Sequence, residues 1–378
     1  MNEQSPHPYQ TAYEPPPYPY DVLDELRAVA AKRFGSAIDC SIGAPVDPPP
    51  RSVVEALSTS NTERGYPPSI GTPAYREAAA RWLDRITGVV LDPAKQVGAV
   101  VGTKEFVAGT PHYLRMRNPA RDTVLYPEVA YPSYEQGAIF AGCRAVPVPV
   151  DDAWRIDLDA IDPSDAARAV CLWVNTPGNP AGGLDDLDAV AAWGRSNDVV
   201  VLSDECYIEF TWDGPPRSIL QSGLDGVLAV HSLSKRSNLA GGRAGFYAGD
   251  PALVHYLREV RKHGGMLVPG PVQAAAVAAF DDQGHVERQR EIYRERLDVG
   301  LELMRAAGAS VEMPGGGFYL WAEAPNGDAW ALARVLAEHA GVIVAPGEFY
   351  GRRSDYVRLA VVQPTDDLRL AASRLGTS

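Results

Sequence analysis

The sequence is poor in cysteine. Four are present, Cys40, Cys143, Cys171 and Cys206, widely spaced and with no Cys-x-x-Cys pair. That pattern excludes a disulfide scaffold and a zinc ribbon, and it suits a reducing cytoplasm. None of the 7 histidines pair at helical ligand spacing, so the chain carries no metal motif. No run of about 18 apolar residues occurs, so nothing reads as a membrane-spanning helix. The opening MNEQSPHPYQTAYEPPPYPY has no basic stretch leading into an apolar one, and it does not read as an export signal. Basic residues are outnumbered 35 to 48, for a net charge of -13. Wholesale binding of nucleic acid or of an anionic membrane is thereby disfavoured, although a local basic pocket is not. No internal repeat is visible.

At 378 residues, the chain fits one large domain with a smaller one. Its first twenty residues are rich in Pro and Tyr, and two readings stay open for them. They are an arm that packs on a second subunit, or a loose tail. Short β-rich runs follow at 97–101, 123–126, 145–150, 169–174, 199–203, 227–231 and 243–247. Several are continuously apolar, as strands buried on both faces should be. Helical stretches such as 184–196 lie between them. This alternation predicts an α/β fold with a mainly parallel sheet of seven strands. The last third reads as α+β: a long helix at 286–308, a helix at 330–340 and a few short strands. The expected division is an arm and part of the small domain at 1–45, a large domain at 46–270 and a small α+β domain at 271–378.

In parallel sheets, ligands bind beyond the carboxyl ends of the strands. Four motifs stand at such ends: NTPGNP with Asn179, SDECY with Asp204 and Tyr207, HSLSK with Lys235, and GGRAGF with Arg243. Each has an ordinary reading on its own. NTPGNP is first a turn, and a lone Asp after a strand is more often a helix cap. Together they match the needs of pyridoxal 5'-phosphate. That cofactor needs an amine for its aldehyde, which Lys235 offers if partly desolvated. It needs an acid beside its ring nitrogen, which Asp204 offers. Its phenolate oxygen needs donors, which Tyr207 and Asn179 supply. Its phosphate needs a helix start, hydroxyls and a fixed cation. VGTKEF offers Thr103 at such a start, HSLS offers Ser232 and Ser234, and Arg243 offers the charge. Tyr131 in VAYPSYEQ offers a flat face for the ring.

These motifs, from SIGAPVDPPP to YVRLAVV, resemble the class I/II aminotransferases among the fold-type I pyridoxal-phosphate enzymes, over nearly the whole chain. The resemblance implies that Lys235 makes the covalent link, that Asp204 and Tyr207 hold the ring, and that Arg243, eight positions after the lysine, binds phosphate. Lys104 joins the cofactor-binding segment by the same transfer. Arg358 in DYVRLAV takes the place of the substrate-carboxylate arginine. Gly43 in SIGAPVDP, with Asn179, belongs to the same substrate site. Tyr66 in RGYPPSIGTPAYREA takes the place of a tyrosine lent by the neighbouring subunit, so a cytoplasmic homodimer with shared sites is expected. The narrower likeness is to actinobacterial N-succinyl-diaminopimelate aminotransferases, with RKHGGMLVPGPVQAA the most distinctive block. It implies glutamate and 2-oxoglutarate as one pair and N-succinyl-2-amino-6-ketopimelate as the keto acid. One departure is Ala181 in NPAGG, where most of the family has Thr.

Two acidic substrates would call for further cations. Lys104, Arg261, Lys262 and His263 are the candidates, with a surface or helix-end charge as the plain reading of each. Trp154 and Trp173 read as core. Other reactions stay open on the same cofactor: transamination of another amino acid, aspartate-like or in secondary metabolism, or C–S bond lysis. A transcription regulator would need a helix-turn-helix for which the first 50 residues are too few and too Pro-rich. A nucleotide-binding fold would need a Walker loop or a Gly-x-Gly-x-x-Gly, and neither is present.

Overall fold

The computed structural model describes residues 13 and 19–376. Most of the Pro- and Tyr-rich opening lies outside the described residues. The chain enters through the helix Asp24–Phe34 and the two-residue strand β1 (Ile38–Asp39), then the helices Arg51–Thr59 and Pro73–Thr87.

Seven strands then build the main sheet: β2 (Val97–Val100), β3 (Thr123–Pro127), β4 (Arg144–Val148), β5 (Ala169–Asn175), β6 (Val200–Asp204), β7 (Val227–Ser232) and β8 (Gly245–Gly249). Their order is β2-β8-β7-β6-β5-β3-β4. The pairs β7–β6, β6–β5, β5–β3 and β3–β4 are parallel, whereas β8 runs antiparallel to both of its neighbours. β5, β7 and β8 are buried at every position, which is why their sequences read as unbroken apolar runs. β4 stands at the sheet edge and is largely solvated.

Two cores cover the faces of this sheet. Trp82, Val201, Phe246 and Phe280 belong to one. Phe106, Tyr134, Trp173 and Tyr247 belong to the other. Trp173 is therefore core, as its sequence context suggested. A third core joins Leu26 and Ala30 to the helices Gly284–Ala306 and Thr365–Gly376 and to the strands β9 (Tyr319–Glu323) and β12 (Tyr356–Ala360). Between those strands lie β10 (Val342–Ile343), which pairs in parallel with β1, and β11 (Ala345–Pro346), which pairs antiparallel with β12.

One boundary of the expected domain division bears on the packing of a single helix. The helix Gly270–Asp281 packs Ala275, Ala276, Ala279 and Phe280 into the core that holds Trp82, and it lies against the helix Arg51–Thr59. We therefore propose that the large domain ends near Asp282 rather than at 270. The helix's Ala-rich sequence has no polar face to say which core it joins. Two further shifts are smaller. The strand expected at 243–247 begins at Gly245, because Arg243 sits in the left-handed region at φ 54°, ψ 56°. The helix expected at 330–340 runs as Ala329–Val335 and widens into a π-helical turn, Leu336–Ala340. Among the described residues no helix is long and apolar enough to cross a membrane.

Candidate active site

Three neighbouring parallel strands end on polar residues: Asn175 on β5, Asp204 on β6 and Ser232 on β7. Because β5, β6 and β7 are adjacent, these side chains meet at one edge of the sheet. A cavity of about 420 Å³ opens there. Of the site residues named from the sequence, Gly43, Thr103, Lys104, Tyr131, Asn179, Asp204, Tyr207, Ser232, Ser234, Lys235, Arg243 and Arg358 all line it. Tyr66 does not. Its side chain is 98% exposed, away from its own chain's cavity.

Lys235 lies in the short helix Leu233–Arg236 that follows β7. Ser232 caps that turn, its Oγ accepting from the Ser234 N–H at 3.1 Å. The Lys235 amine is half-buried and donates to the Gly43 carbonyl. Burial pulls its pKa down to about 8, helped by the nearby Arg358 and Arg243 and opposed by Cys206 and Asp204. A larger share of the reactive neutral amine therefore exists near neutral pH than for a surface lysine.

Asp204 is buried, and burial pushes its carboxyl up. Two hydrogen bonds pull the other way. Oδ1 accepts from the Cys206 N–H at 3.2 Å and Oδ2 from the Tyr134 hydroxyl at 3.0 Å. The result is a carboxyl group held in place by two donors, with the Lys235 amine near enough to favour its charged form, suited to a protonated ring nitrogen.

Arg358, on β12, is 2% exposed. Its Nη1 donates to Asn179 Oδ1 at 2.8 Å and its Nη2 to the Ser41 carbonyl at 2.6 Å. Tyr319 and Tyr350 sandwich the guanidinium, with ring centres at 4.3 and 4.6 Å. Its buried Nε has no partner. Arg358 thus brings to the cavity a guanidinium whose hydrogen-bonding capacity is only partly used, the kind of group that can pair with a carboxylate. Because Asn179 spends its oxygen on Arg358, its NH2 is left to donate elsewhere.

Another wall of the cavity is built from the start of the helix Thr103–Arg117 and from Arg243. Gly102, just before that helix, has φ 74° and ψ 152°, a region reserved for glycine. A Cβ there would stand 2.1 Å from Arg243 Nη2. The glycine thus leaves a cradle between the helix N-terminus and the guanidinium, where an anion gains from both. An amine, a buried acid, a free amide donor, a phenol and this cradle are the donor set that pyridoxal phosphate requires. Among the described residues no cluster could hold a metal ion.

The extra cations sort differently. Lys104 lines the cavity, with its Nζ 5.8 Å from the Tyr131 ring centre. Arg261 does not. It is buried and makes a bidentate pair with Glu105, at 2.7 Å on both oxygens. Lys262 and His263 are exposed at the end of the helix Pro251–His263. Arg261 is therefore a structural ion pair, and Glu105→Ala would leave its charge buried and unpaired. Urea unfolding of that variant is expected to show a loss of about 3 kcal/mol or more, of which Arg261→Met added to it recovers part.

Several cavity residues escaped the sequence reading: Tyr20, Tyr134, Asn175, Cys206 and Tyr319. Tyr134 had a usable signal, since it stands three positions after Tyr131 in the same motif, at the start of the helix Ser133–Phe140. Asn175 did too, as the last residue of an apolar strand. Tyr20 and Tyr319 reach the cavity only through tertiary packing.

The family model for aminotransferase class I and II matches residues 36–375. The 4-dedimethylamino-4-oxo-anhydrotetracycline transaminase OxyQ of Streptomyces rimosus is 43% identical over 96% of this chain and 99% of its own length. An LL-diaminopimelate aminotransferase of Desulforudis audaxviator is 35% identical over 95% of both chains. Among solved structures, a probable N-succinyldiaminopimelate aminotransferase from Thermus thermophilus superposes with a TM-score of 0.86 at 32% identity, covering 95% of this chain and 99% of the other. The chain belongs to the class I and II aminotransferases, which use pyridoxal phosphate.

Proposed function

We propose that this aminotransferase takes glutamate as its amino donor and a carboxylated keto compound as its acceptor, with N-succinyl-2-amino-6-ketopimelate the first candidate. The observation that carries the reading is Arg358, a cavity-lining guanidinium that is buried between two tyrosine rings and whose Nε has no partner. The acceptor is supported by the sequence blocks shared with N-succinyl-diaminopimelate aminotransferases and by the name of the Thermus thermophilus relative.

When bound, pyridoxal phosphate supplies an aldehyde that takes up the amine and a ring that draws electrons from the substrate's α-carbon. The chain's residues do the rest. Lys235 anchors the cofactor. Once displaced by the donor, its Nζ becomes the base that carries the α-proton. Asp204 holds the proton on the ring nitrogen. Tyr207 and the Asn179 amide donate to the phenolate oxygen. Thr103, Ser232, Ser234 and Arg243 hold the phosphate, and Tyr131 covers the ring face. Arg358 fixes the α-carboxylate in both half-reactions, with Gly43 beside it. We further propose a cytoplasmic homodimer in which the exposed Tyr66 of one copy reaches the phosphate of the other. Its 98% exposure in the single chain supports that reading.

A second reading of the acceptor is favoured by the 43% identity with the S. rimosus enzyme. There the keto group would sit on a polycyclic scaffold, and Arg358 would serve the donor alone. Incubating the loaded protein with glutamate and each acceptor in turn, with products weighed by mass spectrometry, separates the two. Amination of the succinylated ketopimelate at a far higher kcat/KM supports the first. Failure on it with conversion of a polycyclic ketone replaces it with the second.

Cofactor loading should show the lysine's lowered pKa. Only the neutral amine attacks the aldehyde, and Lys235 loses its proton near 8 rather than at the ordinary 10.5. The rate of pyridoxal-phosphate capture by cofactor-free protein is expected to rise with pH and level off above about 8, followed by visible absorbance. A rate still climbing steeply above about pH 9.5 would show an ordinary, unperturbed lysine.

A further inference from the structure

Tyr207 and Tyr319 stand with their hydroxyl oxygens 2.8 Å apart, and either can donate to the other. Both are buried, at 6% and 1% exposure. Burial raises both hydroxyls above the ordinary tyrosine range, so both keep their protons at neutral pH. Each hydroxyl has one proton and two lone pairs. If Tyr207 gives its proton to the cofactor's phenolate oxygen, the 2.8 Å contact persists only with Tyr319 as donor. Tyr319 then has no proton left for the substrate.

The position of Tyr319 is tightly held. Gly43 faces it so closely that a Cβ there would lie 2.1 Å from its Oη. Its ring meets Tyr207 edge-on, with centroids 5.4 Å apart at 75°. The Arg358 guanidinium stands 4.3 Å from its ring centre. That cation draws on the ring and makes its hydroxyl a better donor.

We propose that Tyr319 is a positioning residue that strengthens Tyr207 as a donor and thereby lowers the proton affinity of the link between Lys235 and the cofactor. This rests on the reading above that Tyr207 bonds the phenolate oxygen. A donor to that oxygen favours the deprotonated link, because losing the proton leaves the oxygen's charge without its neighbour. Hydrogen bonds in series reinforce one another, so a second donor behind the first adds to the effect. The other groups that bear on the chain are Cys206 and Asp204 on the Tyr207 side, Arg358, Tyr20 and Tyr131 around Tyr319, and Arg358, Arg243, Cys206 and Asp204 around Lys235. All are kept in the variants below.

The test is a pH titration of the holoenzyme's visible absorbance in wild type, Tyr207→Phe, Tyr319→Phe and the double variant. No amino donor or acceptor is added, so an error in the proposed substrates does not touch the result. Tyr207→Phe is expected to raise the apparent pKa by about one unit, and Tyr319→Phe by about half a unit. The double variant should match Tyr207→Phe alone, since Tyr319 acts through Tyr207. Affinity for glutarate, an amine-free dicarboxylate probe, should stay within about twofold of wild type in Tyr319→Phe, because the ring beside Arg358 remains. A Tyr319→Phe titration that coincides with wild type overturns the proposal. So does a shift that persists in the Tyr207→Phe background. A Tyr319→Phe variant that loses glutarate binding with no pKa shift assigns Tyr319 to packing and overturns it too. A Tyr207→Phe titration equal to wild type removes Tyr207 from the phenolate oxygen and takes the proposal with it.

Discussion

Lys235→Ala is expected to lower turnover with glutamate by roughly 10⁴-fold, the upper range for loss of a positioned base. Two roles fall together in this variant. The proposed covalent anchor is gone, and so is the amine proposed to move the α-proton. The fold should survive, because the amine is half-buried and donates to the Gly43 carbonyl, which the cavity can solvate. The proposed anion cradle at Gly102 and Arg243 is untouched, so cofactor is expected to bind still, without a bond to protein. Three measurements check this together. Single-turnover kinetics with glutamate give the rate. Mass spectrometry after borohydride reduction shows whether cofactor is fixed to the chain. Thermal unfolding shows that the fold is intact. Turnover within about tenfold of wild type would remove Lys235 from the chemistry. Lys235→Arg is expected to be as inactive, because a guanidinium does not deprotonate.

Arg358→Ala should lower kcat/KM for glutamate by about 10²- to 10³-fold, mostly through KM. Arg358 spends one N–H on Asn179 and one on Ser41, which leaves one on each Nη for a substrate carboxylate. A carboxylate entering without it meets the rings of Tyr319 and Tyr350 and no cation to replace its water. Arg358→Lys is not a rescue, since an ammonium cannot hold Asn179, Ser41 and a carboxylate in one plane. The same variants should barely change kcat/KM for an amine donor that lacks the carboxylate. An equal loss for both donors would mean that Arg358 shapes the cavity and does not read the carboxylate.

Much of this site is legible in the sequence. The strand ends carrying Asn179, Asp204 and Lys235 follow unbroken apolar runs. Such runs mark strands covered on both faces, and the chemistry of parallel sheets gathers at their carboxyl ends. Gly102 is legible by the same route, as a tight turn between a strand end and a helix start, whereas Arg243 precedes β8 and reaches the same edge because that strand runs antiparallel. Arg261 is not legible. Its charge resembles a substrate cation until Glu105 is seen to close on it from 156 positions away in the chain. Tyr319 is hidden for a like reason. It lies in an ordinary apolar strand, and only the packing of the last third of the chain against the main sheet brings its hydroxyl to Tyr207. The helix Gly270–Asp281 packs into the core that holds Trp82, and its Ala-rich surface carries no local signal of that partner.

The sequence by itself determined the fold class, the order of strands and helices, and which side chains stand at strand ends. These depend on local periodicity and on residue type, both of which a single chain displays. Only the tertiary structure decided that β8 runs against its neighbours, that Arg358 is wedged between two tyrosines, and that Tyr207 and Tyr319 share a hydrogen bond. Those facts depend on which distant surfaces pack together, and hydrophobic burial drives that packing without a local signature in the sequence.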